Sequence, residues 1–308
     1  MTNLKRITAL EKFNRMASAS DLDRKRTALE ASIRKLGRAL VAYSGGVDSA
    51  FLAWEMRRVL GSEMLAVIAD SPSLARSQLA DALKFAKEHN IPLEVMATAE
   101  FERPEYVRND GFRCFHCKDE LFAVMEKICQ ERGFRSIAYG INADDQVDFR
   151  PGQIAAQQHG IAAPLLEAGL TKQEIRELAR QAGLRIWDKP ASACLSSRLE
   201  YGRPVTREAL AVVEKGEDAL RDLGFRQFRV RHHGEIVRIE IAREEMERAL
   251  APPVAAEFTR IFKGLGFKFV TLDVEAFRSG SMNSLLAADS LLQGHASGGP
   301  ADRQKRRR

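Results

Sequence analysis

The sequence predicts an α/β protein: a doubly wound parallel sheet followed by a smaller α+β domain. Short apolar runs typical of buried strands alternate with helical patterns through the first two thirds of the chain. A glycine-rich turn joins the first run, 39–43, to a helical pattern at 49–60, as in sheets that bind nucleotides at the carboxyl ends of their strands. Beyond about Gly202 strands and helices no longer alternate in this order, which favours a separate α+β unit.

Each element rests on a local pattern. Strands are expected at 39–43, 64–69, 93–97, 136–140, 225–232, 235–241 and 267–272. Further helices are expected at 74–89, 118–132, 206–223 and 243–250. A helix capped by Ser20 or Asp21 is expected to run to Leu36, and one capped by Thr171, with Glu174 completing a capping box, to Ala182. Residues 1–18 are expected to be poorly ordered or peripheral.

Composition and length indicate a globular protein of more than one domain. The chain has 308 residues, 45% of them hydrophobic and 29% charged. We predict an N-terminal helical segment at 1–36, a nucleotide-binding domain at 37–202, a smaller α+β domain at 203–283 and a disordered basic tail at 284–308. The sequence contains no apolar run long enough to span a bilayer and no signal-peptide core near its start, so we expect a cytoplasmic protein without a membrane partner.

The net charge of +6 comes mostly from the end of the chain. Residues 293–308 carry five basic side chains and one acidic one, a net of +4, which leaves +2 for the rest. A near-neutral body disfavours nucleic acid as a partner.

The glycine-rich turn reads Ser44-Gly45-Gly46-Val47-Asp48-Ser49. Glycines let backbone N–H groups approach an oxyanion closely, and the helix that follows adds positive potential, so the turn predicts a phosphate site. No Gly-Lys-Ser/Thr follows, so this is not a Walker motif. A carboxylate beside phosphate needs a cation between them, so Asp48 predicts Mg²⁺ binding. Helix N-capping by Asp48 is the alternative.

Three of the four cysteines form a candidate metal centre. Cys114 and Cys117 are spaced to reach one metal, and Cys194 is the other thiol in a plausible place. Three thiolates with an open fourth position fit an iron–sulfur cluster. A zinc site built from Cys117, its neighbour His116 and Cys194 is the alternative. Cys129 is interpreted as a small core residue.

Two arginine features accompany these motifs. Arg198 lies close to Cys194 in sequence, and a cation beside a thiol favours the reactive thiolate, so Cys194 is the candidate catalytic residue. Arg229 and Arg231 are two apart on a predicted strand and therefore share a face. Two guanidinium groups on one face can bind a phosphate together. The alternative interpretation is that this face of the strand is only exposed to solvent.

Taken together, several segments resemble the LarE family of ATP-dependent sulfur transferases in nickel-pincer nucleotide synthesis. The glycine-rich turn by itself resembles the pyrophosphate loop (PP-loop) of the wider ATP pyrophosphatase superfamily. The other segments are 148–152, 191–198 with 201–202, 229–231, 269–273 and 277–280. Their combination is specific to the family, and the resemblance spans about 36–283.

The resemblance implies a two-stage reaction. ATP adenylylates a carboxylate of pyridinium-3,5-biscarboxylic acid mononucleotide, and a sulfur nucleophile then displaces AMP to leave a thiocarboxylate. In one branch the sulfur comes from a sacrificed cysteine that matches Cys194. In the other branch, three cysteines matching Cys114, Cys117 and Cys194 hold a [4Fe-4S] cluster that carries a sulfide.

This sequence carries all three cysteines, so the cluster interpretation comes first and the sacrificial interpretation second. Further residues match family positions near the substrate: Lys118, Ser197, Arg198, Glu217, Arg229 and Arg231. The implied partners are the pyridinium nucleotide, sulfide or another sulfur source, and further copies of the chain in a homo-oligomer.

Three other functions compete with this one. A tRNA thiolase also pairs a PP-loop with three cysteines, but it requires an RNA surface. An NAD or GMP synthetase has no use for the cysteines. A regulator that binds AMP or ATP, with structural zinc, would not need Asp48.

Overall fold

The computed structural model describes residues 3–146, 151–190 and 192–278, with side chains from residue 20 onward. Its strands are β1 Ala39–Ala42, β2 Met64–Asp70, β3 Leu93–Ala97, β4 Ser136–Tyr139, β5 Phe228–His233, β6 Ile236–Ile241 and β7 Phe269–Leu272. Its helices are α1 Asn3–Leu36, α2 Val47–Leu60, α3 Arg76–Glu88, α4 Pro104–Val107, α5 Arg113–Arg132, α6 Pro151–Gln158, α7 Pro164–Glu167, α8 Lys172–Gln181, α9 Arg207–Asp222, α10 Met246–Leu250 and α11 Pro252–Gly264. Within these described ranges no helix is long and apolar enough to cross a membrane.

The main sheet is parallel, with strand order β3-β2-β1-β4. Alternate residues of the central strand β1 enter two different cores: Ala39 and Val41 pack with α1, α2, α3 and α8, while Leu40 and Ala42 pack with α5 and α6. Helices therefore cover both faces, and the predicted doubly wound α/β architecture is confirmed.

The second sheet has the order β5-β6-β7, with β5 and β6 antiparallel and β6 and β7 parallel. Its core takes apolar residues from β5, β6, α9 and α11, and it also takes Tyr106, Leu195 and Leu199 from the first part of the chain. The predicted smaller α+β unit is therefore present. Its boundary at Gly202 stays a prediction.

Two predicted helix starts are wrong. Helix α1 begins at Asn3 instead of at a capped Ser20 or Asp21, because residues 3–36 contain no glycine or proline to interrupt it. Helix α5 begins at Arg113, five residues before the predicted start. The Asp110 carboxylate accepts the Phe112 N–H at 2.8 Å, and this turn leads directly into the helix.

The early start of α5 changes the setting of two cysteines. Cys114 and Cys117 lie one turn apart on the same helix, instead of in an irregular segment before it.

Four helices, α4, α6, α7 and α11, are missing from the sequence-based prediction. All four begin at a proline, a residue well suited to the first helical position, so the signal for them is present in the sequence.

Candidate active site

A cavity of about 540 Å³ lies between the main sheet and the second sheet. Its walls come from several parts of the chain that are far apart in sequence. They are the glycine-rich turn, the residues after β4, the start of α8, the segment around Cys194, strand β5 and the residues after β7. The lining residues are Ser44, Gly46, Val47, Asp48, Ser49, Gly140, Asn142, Asp144, Asp145, Lys172, Pro190, Ser192, Ala193, Ser197, Tyr201, Arg229, Arg231, Phe277 and Arg278.

The glycine-rich turn forms one end of this cavity. Gly45 has a φ of +70°, and a Cβ there would lie 2.6 Å from Ala82 Cβ, so the turn requires glycine at this position. The Ser44 and Ser49 hydroxyls lie 3.0 Å apart, and Ser49 also donates to the Gly46 carbonyl at 3.2 Å. The first turn of α2 therefore presents its N–H groups to the cavity from a rigid loop, as an anion site requires.

Asp48 lies in the first turn of α2 with its carboxylate at the cavity wall. The helix is preceded by Gly46 and no side chain caps it, so N-capping by Asp48 is wrong. Asp48 Oδ2 accepts from Lys172 Nζ at 2.6 Å and from Asn142 Nδ2 at 3.3 Å, whereas Oδ1 is buried without a hydrogen-bond partner. Burial raises the pKa of Asp48; Lys172 opposes this and Asp145 adds to it.

Lys172 is a site residue that sequence analysis missed. It is the first residue of α8, directly after the Thr171 cap, and the capping box with Glu174 is confirmed. This cap is the sequence signal that could have drawn attention to Lys172, because it fixes where α8 begins. Its ammonium donates to Asp48 Oδ2 at 2.6 Å, just after the glycines of the turn, and Lys189 Nζ donates to the Gly45 carbonyl at 3.3 Å.

Arg229 and Arg231 both line the cavity, so the prediction that they share a face is confirmed. The Arg231 guanidinium is buried against Glu240, at 3.0 and 2.8 Å, and also donates to the Ser197 carbonyl at 3.0 Å. Arg229 lies over the Phe277 ring, 4.8 Å from its centroid. Burial, and then the charge of Arg198, lower the pKa of Arg229 to about 10. Arg278 lines the same cavity, so three arginines meet at this end.

Arg198 and Glu217 lie behind the cavity wall and form a buried ion pair at 2.8 Å. Arg198 also donates to the carbonyl oxygens of Ala193 and Cys194, at 2.8 and 3.0 Å. The guanidinium of Arg198 is thus occupied by contacts within the protein. These contacts hold the segment that carries Cys194 in place. Ser197, beside it, reaches the cavity and donates to the Cys194 carbonyl at 2.8 Å.

The three candidate cysteines come from α5 and from the residue that precedes a short 3-10 helix at Leu195–Arg198. Cys114 and Cys194 are exposed, and Cys117 is half-buried. Burial raises the pKa of Cys117 to about 12, opposed by Lys118 and reinforced by the charges of Cys194, Glu100 and Cys114. Cys129 packs against the core beneath α5, as expected.

The structure does not bring every predicted site residue to the cavity wall. Lys118 lies with its ammonium 5.8 Å from the Phe122 ring centroid, beside Gly152. Cys194 directly follows the lining residue Ala193, while Cys114 and Cys117 lie outside the wall. Of the matched segments, residues 148–150, 191 and 279–280 lie outside the described residues.

No group of three or more His, Cys, Asp or Glu side chains converges on a single metal ion in the described part of the chain. A mononuclear zinc site needs such convergence, because its ligands all lie about 2.0–2.3 Å from one ion. A cluster of several iron atoms is larger and requires neighbouring thiols that do not meet at one point.

Comparison with known proteins gives a consistent result. No family model matches the chain. A protein of Synechocystis sp. known only as uncharacterized is 39% identical over 86% of this chain and 99% of its own length. Pyridinium-3,5-bisthiocarboxylic acid mononucleotide synthase of Lactiplantibacillus plantarum is 32% identical over 87% of this chain and 96% of its own length. A glutamine-hydrolyzing GMP synthase polypeptide of Methanococcus vannielii is 29% identical, over 48% of this chain and 50% of its own.

Proposed function

This chain belongs to the pyridinium-3,5-bisthiocarboxylic acid mononucleotide synthase (LarE) family, and on that premise we propose that it is an ATP-dependent sulfur transferase. It adenylylates the carboxylates of pyridinium-3,5-biscarboxylic acid mononucleotide and replaces AMP with sulfur. The observation that carries this proposal is the cavity that joins Ser44–Ser49, the arginines of β5 and the residues beside Cys194.

The glycine-rich turn and Lys172 are proposed to hold the triphosphate of ATP. N–H groups of the turn and the first turn of α2 face the cavity, and the Lys172 ammonium lies at the same edge. A substrate carboxylate attacks the α-phosphorus, the bond to pyrophosphate breaks, and an acyl-adenylate forms. These donors stabilise the negative charge that develops on the leaving pyrophosphate.

Asp48 is proposed to hold Mg²⁺. Its Oδ1 is buried without a hydrogen-bond partner, which fits an oxygen that ligates a cation. Asp145 and Asp144 line the same wall and add negative charge to it. The cation would neutralise charge between the carboxylates and the phosphates.

The arginine-lined end of the cavity is proposed to bind the phosphate of the pyridinium nucleotide through Arg229 and Arg231. With the phosphate there, the substrate ring lies between the arginines and the nucleotide loop, next to Ala193 and Ser197. A sulfur nucleophile held beside Ala193 and Ser197 would attack the acyl carbon, and the bond to AMP would break. A sulfide would give the thiocarboxylate directly. The Cys194 thiolate would instead form a thioester, and loss of the Cys194 α-proton with cleavage of its Cβ–Sγ bond would then release the thiocarboxylate and leave dehydroalanine.

Cys114, Cys117 and Cys194 are proposed to hold a [4Fe-4S] cluster. The proposal rests on the three thiols that match the cluster-dependent branch of the family, of which Cys114 and Cys117 lie one turn apart on α5 and Cys194 precedes the short 3-10 helix. When bound, the cluster supplies a sulfide as the sulfur donor. The second candidate, favoured by the exposure of Cys194 and its place beside the cavity, is transfer of the sulfur of Cys194 itself.

The test compares four single variants, Cys114→Ala, Cys117→Ala, Cys194→Ala and Cys129→Ala, after anaerobic reconstitution with iron and sulfide. Wild type and the matched control Cys129→Ala are expected to bind about four irons per chain and to make thiocarboxylate. The other three variants are expected to lose both properties. Bound zinc in place of iron, or normal sulfur transfer by Cys114→Ala, would contradict the cluster.

The same assay distinguishes the alternatives. Loss of the elements of H₂S from Cys194 during one turnover supports the sacrificial route. Pyrophosphate release that responds to tRNA and not to the pyridinium nucleotide overturns the substrate assignment. We further propose that the enzyme acts in the cytoplasm as a homo-oligomer, as the family resemblance implies.

A further inference from the structure

Arg113 is a buried cation in the first turn of α5, with a relative exposure of 3%. Its guanidinium donates to the Ser196 carbonyl at 2.9 Å and to Asn109 Oδ1, and it lies 5.7 Å from the centroid of the Tyr201 ring. Among the side chains that the structure describes, no aspartate or glutamate forms an ion pair with it. Burying a guanidinium without an opposite charge is strongly unfavourable, so this arrangement needs an explanation.

The other buried arginines near the site do not share this property. Arg198 pairs with Glu217 at 2.8 Å, and Arg231 pairs with Glu240 at 2.8 Å. Each of those ion pairs is neutral within the protein. Arg113 alone among these three keeps its positive charge in the interior without a carboxylate.

The groups whose negative charge would offset Arg113 are thiols. Cys114 follows it in sequence, and Cys194 lies two residues before Ser196, whose carbonyl Arg113 binds. The guanidinium thus connects the two segments that carry the candidate cluster ligands.

Asn109 fixes this connection from the other side. It is fully buried and has a φ of +56°. Its Nδ2 donates to the carbonyls of Glu200 and Arg203 at 2.8 and 2.9 Å. Its Oδ1 accepts a hydrogen bond from the Arg113 guanidinium. Asn109 and Arg113 together join the start of α5 to the chain on either side of Leu199. The position of the guanidinium between the start of α5 and the segment that follows Cys194 is therefore built into the fold.

We propose that Arg113 is the positioning residue that neutralises the charge of the sulfur centre formed by Cys114, Cys117 and Cys194, and that it holds the Cys194 segment against α5. The inference rests on the proposed function, because it takes the centre to be an iron–sulfur cluster. A cluster held by three thiolates gains negative charge when it is reduced. A buried cation beside it favours the reduced form, so its removal should make reduction less favourable.

The experiment measures bound iron per chain and the reduction potential of the reconstituted protein by spectroelectrochemical titration. Arg113→Gln is expected to make reduction at least tenfold less favourable, a shift of about 59 mV to more negative potential for a one-electron couple. Arg113→Lys keeps the charge and is expected to stay within threefold of wild type. Arg260→Gln, an exposed arginine of α11 paired with Glu257, is the matched control and is expected to change nothing. A wild-type potential and iron content in Arg113→Gln would overturn the inference.

A second variant keeps the test decisive if Arg113→Gln does not fold. Asn109→Asp places a carboxylate at the position that now accepts from Arg113, so it neutralises the guanidinium without removing it. The same shift to negative potential is expected, and an unchanged potential would count against the inference. Absence of any cluster in the wild-type protein would overturn the proposed cluster and this inference together, whereas a wild-type cluster that is insensitive to both variants would overturn the inference alone.

Discussion

At the scale of single residues, Asp48 has features that stability does not favour. One carboxylate oxygen is buried without a partner, and burial raises its pKa above the ordinary 3.8 even though Lys172 lies 2.6 Å from the other oxygen. Because the pKa of Asp48 is higher in the folded than in the unfolded protein, the native state binds more protons than the unfolded state. The contribution of Asp48 to stability therefore falls as the pH rises from the unfolded-state pKa through the folded-state pKa. A bound cation would remove the penalty, which argues that the residue serves ligand binding.

Asp48→Asn is therefore expected to separate activity from stability. Pyrophosphate release should fall about 100-fold or more, because the proposed Mg²⁺ ligand is lost. The thermal midpoint at pH 7 should stay the same or rise, because the charge that burial disfavours is gone. Calorimetry and a pyrophosphate assay test this, with exposed Asp218→Asn as the control. A lower midpoint with normal pyrophosphate release would contradict the assignment.

The two arginines of β5 are expected to respond differently to the same substitution. Arg231 forms an ion pair with the fully buried Glu240, so Arg231→Gln should lower the free energy of unfolding by about 3 kcal/mol. The loss is limited to this size because Glu240 keeps a second ion pair, with Arg238. Arg229 is a cation whose pKa burial lowers, so Arg229→Gln should cost little stability.

Substrate binding should show the opposite order. Arg229→Gln is expected to weaken binding of the phosphate-bearing substrate about tenfold, because a charge-assisted contact is lost. Denaturant titration and calorimetric binding measure the two effects separately. Equal stability losses in both variants would refute this division of roles.

At the scale of elements, the nucleotide site depends on how closely β4 approaches α2. A Cβ on Gly140, the residue after β4, would lie 2.7 Å from the Ser49 backbone N and 2.8 Å from its Cα. Only glycine lets the strand end meet the helix start at this distance. The anion site thus results from the contact of two elements as well as from the glycine-rich turn.

Gly140→Ala is expected to push the first turn of α2 away from the sheet. The free energy of unfolding should fall by about 1–3 kcal/mol, and nucleotide affinity should fall with it. Gly264→Ala in α11 is the matched control, since a Cβ there meets no atom within 4 Å and alanine favours a helix. Denaturant unfolding and nucleotide titration measure both effects. Normal ATP affinity in Gly140→Ala would count against the proposed site.

At the scale of the whole molecule, the cavity exists because the small sheet packs against the first part of the chain. The hydroxyls of Ser73, Tyr106 and Ser196 form a buried cluster where the two parts meet, with Tyr106 and Ser196 2.7 Å apart. Leu195 N–H donates to the Ser73 carbonyl at 2.8 Å. These bonds place the segment of Cys194 between the nucleotide loop and the arginines.

The charge of the whole chain gives a separate prediction. Removal of residues 293–308 lowers the net charge from +6 to +2. Non-specific RNA binding should weaken, with a flatter salt dependence, because fewer counterions are released. ATP-dependent thiocarboxylate formation should not change. Filter binding across a salt series and the product assay test this, and loss of turnover on truncation would assign the tail a direct role.

Local patterns were sufficient to predict the alternating strands and helices, the glycine-rich turn and the capping box at Thr171, because each depends on neighbouring residues alone. They also placed Arg229 and Arg231 on one face, since a strand has a period of two. They could not show that Lys172 meets Asp48, that Arg198 is bound to Glu217, or that Arg113 reaches Ser196. Those contacts join residues separated by 124, 19 and 83 positions. Only tertiary packing brings such residues together: α2 and α8 share the core of the main sheet, and the core of the second sheet takes in residues from the first part of the chain. The charge balance of the site was therefore decided by the tertiary structure.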